Sequence, residues 1–186
     1  LNNILLRSEK PSVEIELLMN SEDFKKSHLD ILNKLKNIPQ DKEFHPEGNV
    51  WNHTKLVIDT AAKIKDFSDD SNNFMWAVLF HDIGKIGIPD SILLKREKLT
   101  DNEYSEIKNH PKIGAQILSN ATIFEKAIPV IKYHHERYDG TGYPENLKGE
   151  NIITFHESFD YLANDYSFNV LAKVESHDGG EPSAKG

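Results

Sequence analysis

The chain has 186 residues, a formal net charge of -8 and no cysteine. This length suits one domain of ordinary size, and the lack of cysteine excludes disulfides and thiolate metal sites. The acidic balance argues against binding polymeric nucleic acid, which needs a basic face. The longest apolar run, Phe74 to Phe80, is far too short to span a bilayer. A cysteine-free chain without a signal peptide fits a reducing compartment, so the cytoplasm is the expected location. Residue 1 is Leu, so a fragment of a longer protein is expected.

Few stretches alternate with the period of a strand, and the pattern predicts an all-α fold: a single helical domain with a metal site between helices. Residues 12–19 and 22–37 read as two helices, and 41–49 as a loop holding Pro46 and Gly48. Residues 50–67 form an amphipathic helix with His53, Val57, Ala61, Ile64 and Phe67 on one face. The next helix covers 73–82 and is broken by Gly84 and Gly87. Thr100 and Glu103 have capping-box spacing, so a helix starts there, with a kink at Pro111 where an amide donor is lost. Residues 122–137 form a further helix, with Ile123, Ala127, Val130, Ile131 and His134 on one face. A glycine-rich turn at 139–144, a helix at 153–164 and a polar tail complete the chain. The predicted organisation is an N-terminal helical segment (1–45), a main domain (46–170) and a flexible tail (171–186).

Nine histidines carry the main chemical signal. His53, His81 and His134 lie on the apolar faces of separate helices, and His110 lies on another. One imidazole on such a face is commonly an ordinary core residue. Several converging ones are costly to bury unless something binds them, and neutral imidazole is the commonest metal ligand. Asp82, directly after His81, adds a carboxylate able to bridge two cations. Nitrogen and oxygen ligands without sulfur suit iron or manganese, with zinc, nickel or cobalt as other candidates. His134 and His135 diverge by about 100° around a helix, so they can reach different ions, or one ion and the substrate.

Three stretches then match a family pattern. They are His81-Asp82-Ile83-Gly84-Lys85-Ile86-Gly87-Ile88-Pro89, Asn109-His110-Pro111-Lys112-Ile113-Gly114, and His134-His135-Glu136-Arg137-Tyr138-Asp139-Gly140-Thr141-Gly142-Tyr143-Pro144. In this order they resemble the HD-GYP group of the HD superfamily of metal-dependent phosphohydrolases, over about residues 50–168. The resemblance implies an all-helical phosphodiesterase that hydrolyses a cyclic dinucleotide, most often cyclic di-GMP, by metal-activated water. It implies that His53, His81, Asp82, His110, His134 and His135 are metal ligands. Asp82 and Lys85 are then the catalytic residues, with Lys85 on the scissile phosphate. Arg137, Asp139, Gly142 and Tyr143 lie beside the substrate. Alone, Lys85 would read as a solvated lysine after a helix end.

The chain departs from the pattern in places. Asn49 stands where the family has a glutamate associated with a third metal, so two divalent transition metals are expected. The late aspartate ligand is replaced by Glu157, which is expected to take its role, with Asp160 as the rival and His156 as a weaker one. Other readings are a different HD phosphohydrolase, such as a nucleotidase, or a non-catalytic signalling module. A homodimer, or a sensor domain in the full-length protein, fits the same reading.

Overall fold

The computed structural model describes residues 1–43, 45–137 and 139–148. Among these residues the chain is all-α, as the sequence pattern predicts, and has no strand. The helices are α1 (Asn2–Arg7), α2 (Pro11–Met19), α3 (Glu22–Lys25), α4 (Ile31–Lys34), α5 (Val50–Ala62), α6 (Ser71–Phe80), α7 (Asp90–Leu93), α8 (Asp101–Lys108), α9 (His110–Leu118) and α10 (Ala127–Tyr133). The expected helix at 153–164, the tail, and Glu157 with its rivals Asp160 and His156 lie outside the described residues.

Helix α6 lies at the centre. Every residue from Phe74 to Phe80 is buried, as a helix apolar on all sides should be. It packs against α1, α5 and α10. Trp76, Phe80 and Phe124 form an aromatic cluster with ring centroids 5.0 to 6.1 Å apart. The Trp76 indole N–H donates to Asn2 Oδ1 at 3.1 Å, tying α1 to this core. Leu5, Ile15 and Leu32 from the first helices belong to the same hydrophobic cluster.

Several predicted elements are corrected in detail. The helix expected over 22–37 is broken into short pieces. Ser27 accepts from Leu29 N and donates to Phe24 O, local bonds that compete with a continuous helix. The helix expected over 50–67 stops at Ala62 and is followed by a 3-10 turn, Lys65–Phe67. The chain therefore turns away before Phe67, which is 69% exposed instead of core-facing. Helix α6 begins earlier than predicted, at Ser71, because the Asp70 side chain accepts from Asn73 N and caps it. The expected helix 122–137 is a 3-10 turn (Thr122–Phe124) followed by α10. Ile123 falls on that turn and is exposed.

The Thr100–Glu103 capping box is present in both directions at the start of α8. Pro111 does not kink that helix. The chain breaks at Asn109 and Pro111 instead opens α9, where an amide has no helical partner to lose. Helix α9 packs against the 3-10 turn Ile83–Gly87. The approach is so close that a Cβ on Gly84 would sit 1.8 Å from His110 O. Only glycine fits there, and this crossing sets the turn after His81 and Asp82 against the first residue of α9.

Candidate metal centre

Four of the candidate ligand positions lie at helix ends, where the chain has orphan carbonyls to satisfy. His81 and Asp82 follow α6, His110 follows α8 and begins α9, and His134 follows α10. In each histidine Nδ1 donates to the carbonyl three residues before it. The distances are 2.8 Å for His81 to Val78, 2.8 Å for His110 to Ile107 and 2.7 Å for His134 to Ile131. A carbonyl only accepts, so Nδ1 carries the proton in all three rings and Nε2 presents a lone pair inward. His53 differs, since it sits within the first turn of α5. Its Nδ1 donates to Glu47 Oε1 at 2.7 Å.

The Nε2 atoms of His53, His81 and His110 converge on Asp82, which is 2% exposed. Asp82 Oδ2 lies 3.4 Å from His81 Nε2 and 4.0 Å from His53 Nε2, while Oδ1 lies 3.4 Å from His110 Nε2. His110 Nε2 and His134 Nε2 are 3.3 Å apart. The His134 and His135 ring centroids are 4.1 Å apart, and those of His110 and His135 are 5.0 Å apart. Three sets of possible ligand atoms lie each within a 4.8 Å span among the described residues: His53, His81 and Asp82; His110, His134 and His135; and, at the edge, His45, Glu47 and His53. The structure thus brings all six expected ligands from the described residues into one centre.

The electrostatics favour a cation. Burial pushes the His110 imidazole down to about 4 and lowers His53 as well, so both rings are neutral near pH 7. Burial opposes ionisation of Asp82, but the Lys85 ammonium beside it holds its carboxyl well below the usual carboxylate range. Asp82 Oδ1 and His53 Nε2 are buried without a hydrogen-bond partner among the described residues. Such orphaned acceptors are costly in a protein interior. A divalent cation would satisfy them, and the nitrogen and oxygen donor set suits one.

Lys85 lies beside Asp82, with Nζ 3.0 Å from Oδ2. Its second acceptor, Gln40 Oε1 at 2.9 Å, was not expected. An ammonium only donates, so the Gln40 oxygen must face it. Glu136 was likewise missed as a structural residue. Its buried carboxylate accepts from Glu145 N and from Leu147 N, and so anchors the loop that follows. In that loop Tyr143 stacks on His135 at 4.5 Å. Gly142 is buried, and a Cβ there would lie 2.3 Å from Arg137 N. Arg137 and Asp139 sit further out, with Nε 3.6 Å from Oδ1. Hydrogen bonds from Thr141 keep the Asp139 carboxyl below its ordinary value. Asn49 is committed elsewhere, since its Oδ1 accepts from Asn52 N at 2.8 Å and caps α5.

Gln40, Glu47 and Glu136 carry no periodic signal. One available clue was that a metal-binding histidine usually donates its second nitrogen to a carboxylate or carbonyl, which makes nearby acids such as Glu47 worth marking.

The HD domain family profile matches residues 33–156. A cyclic di-GMP phosphodiesterase of Vibrio cholerae is 51% identical over 101 residues, which is 50% of this chain and 20% of that protein. A cyclic di-GMP phosphodiesterase of Thermotoga maritima is 37% identical over 161 residues, 80% of this chain and 42% of that protein. A cyclic di-GMP phosphodiesterase response regulator of Xanthomonas campestris is 52% identical over 95 residues, 46% of this chain and 25% of that protein. The matches therefore cover less than half the length of these curated relatives.

Proposed function

The chain belongs to the HD domain family, and on that premise we propose that it is a phosphodiesterase that hydrolyses a cyclic dinucleotide, cyclic di-GMP before others, with two divalent transition metals. Iron or manganese fits the ligand set best, with zinc, nickel or cobalt as alternatives. The observation that carries the proposal is the position of Asp82. One of its oxygens faces His53 and His81 and the other faces His110, the arrangement of a carboxylate shared between two sites.

Bound cations would supply Lewis acidity and a water activated near neutral pH. The chain's own groups do the rest. Lys85 is held between Asp82 and Gln40, which leaves one N–H that could donate to charge growing on a phosphoryl oxygen. Burial keeps the His53 and His110 imidazoles neutral and able to ligate. Arg137, which is exposed, can meet a phosphate with two parallel N–H donors. Asp139, Gly142 and Tyr143 shape the same loop, and the Tyr143 ring offers a face on which a base can stack. Local positive charge of this kind is needed by a chain with a net charge of -8 that takes an anionic substrate.

No helix among the described residues is long and apolar enough to cross a membrane. Action on a cyclic dinucleotide second messenger fits a cytoplasmic location, which belongs to the same proposal. The test is incubation of the metal-loaded chain with cyclic di-GMP and, separately, with mononucleotides, followed by product separation. Metal-dependent loss of cyclic di-GMP is expected. Release of phosphate from mononucleotides with the cyclic substrate untouched would replace this reading with that of a nucleotidase.

A further inference from the structure

We propose that Glu47 is a positioning residue for the metal site, one whose carboxylate orients His53 and strengthens it as a ligand. This rests on reading His53 as a metal ligand. The other imidazoles at helix ends find an acceptor for Nδ1 in a carbonyl three residues back. His53 does not do so: it lies in the first turn of α5, and Val50 O, three residues back, accepts from Thr54 Oγ1 at 2.9 Å. Glu47 supplies the acceptor from outside the helix, at 2.7 Å.

A carboxylate does more than a carbonyl in this place. It carries a full charge, and its hydrogen bond to an imidazole N–H is short and strong. It therefore fixes the tautomer and raises the electron density at Nε2, the atom that faces Asp82 at 4.0 Å. The side chain that precedes His53 by one helical turn, Asn49, is neutral and already spent as the α5 cap.

The loop carrying Glu47 is itself fixed. Gln40 N bonds to Gly48 O, Val50 N to Ile38 O and Gly48 N to His45 O. Asn52 Nδ2 holds the Glu47 carbonyl at 2.9 Å. Gly48 adopts φ +88°, which lets the chain reverse before α5. His45 Nδ1 approaches the same Glu47 oxygen at 3.2 Å. His45, Glu47 and His53 could instead be read as a separate ligand set. That would require His53 to give up the Nδ1 proton that its hydrogen bond to Glu47 uses while Nε2 serves the main site.

The test is Mn²⁺ titration of the metal-free chain and of E47Q, E47A and H53A, together with the NMR signal of the His53 Nδ1–H. We expect E47A to weaken the ion held by His53 by about 10- to 100-fold, with the number of ions at saturation unchanged. E47Q should fall in between, since its amide oxygen still accepts, and the low-field Nδ1–H signal should weaken in that order. If E47A fails to fold, judged by circular dichroism, E47Q decides. Wild-type Mn²⁺ affinity in both Glu47 variants, with weakened binding in H53A, overturns the role of Glu47 alone. Unchanged binding in H53A as well overturns the underlying reading of His53. Loss of one whole ion in E47A, with the others bound as before, makes Glu47 a direct ligand and overturns the positioning role.

Discussion

His110 Nε2 and His134 Nε2 face each other at 3.3 Å while both Nδ1 protons are engaged by backbone carbonyls. With each Nδ1–H given to a carbonyl, the two Nε2 atoms are left to share one proton or a cation between their lone pairs. The same holds on the other side of Asp82, where His53 and His81 turn Nε2 toward Oδ2. The histidine cluster could therefore hold cations between its helices.

His81→Ala and Asp82→Ala should each abolish hydrolysis of cyclic di-GMP and lower bound metal. The loss should exceed the roughly 100-fold that even an outer-shell change can cost. Wild-type chain should hold two ions, because Asn49 is a neutral amide committed to capping α5. Elemental analysis of purified protein beside the activity assay checks both points. Three tightly bound ions, or full activity in either variant with metal supplied, would defeat the two-metal site.

Lys85→Ala should lower kcat by about 100- to 1000-fold, the usual cost of removing one donor to a developing oxyanion. Metal binding should be unchanged or tighter, since a cation beside Asp82 has been removed. Steady-state kinetics with Mn²⁺ titration separates the two effects. Lost metal with the intrinsic rate preserved would make Lys85 a support for Asp82 only.

Gly84→Ala should destabilise the chain by at least about 3 kcal/mol, the upper end of the usual cost of overpacking. The new methyl meets rigid backbone at His110 O, not a movable side chain. Metal content should fall too, because relief of the clash moves His110 away from Asp82. Thermal melting and metal analysis of the variant check this, and wild-type values in both would show that the turn and α9 do not approach so closely.

Acid should unfold the metal-free chain through its histidines. Burial is the main cause holding His110 and His45 at about 4, against an ordinary 6.5. A folded value below the unfolded one means that the unfolded chain takes up protons first as pH falls. This contribution is complete above about pH 6.5 and is lost between 6.5 and 4, at about 1.4 kcal/mol per histidine for each pH unit crossed. Glu47, brought down to about 2 by its hydrogen bond from His53 against the opposing effect of burial, loses its own contribution further down. Mn²⁺ binds deprotonated imidazole and should move the whole loss to lower pH. Urea midpoints across this range, with and without Mn²⁺, check the sign. A midpoint independent of pH in the metal-free protein would contradict the burial of these rings.

Much of the site could be read from sequence because its chemistry is written in short local words. The His-Asp pair after an apolar helix, the Thr100–Glu103 cap and the histidine doublet before a glycine turn each depend on neighbours within a few residues. Their consequences follow from helix geometry: His53, Val57 and Ala61 do share a buried face. Phe67, Ile123 and Pro111 depart from expectation for one reason. Periodicity assumes that a helix continues, while the actual ends are chosen by competing caps, turns and backbone contacts.

What sequence alone determined is the all-α class, the candidate ligand residues and the donor set that suits a divalent cation. What only the tertiary structure decided is how those residues meet. Gln40 reaches Lys85 across 45 positions, Asp82 divides its two oxygens between histidines from different helices, and the Gly84 turn is set by α9. The physical reason is that helical periodicity says which face of an element is buried, but not which other face it is buried against. Partners distant in sequence are selected by packing, and a hydrogen bond or shared carboxylate between them leaves no periodic trace in either segment.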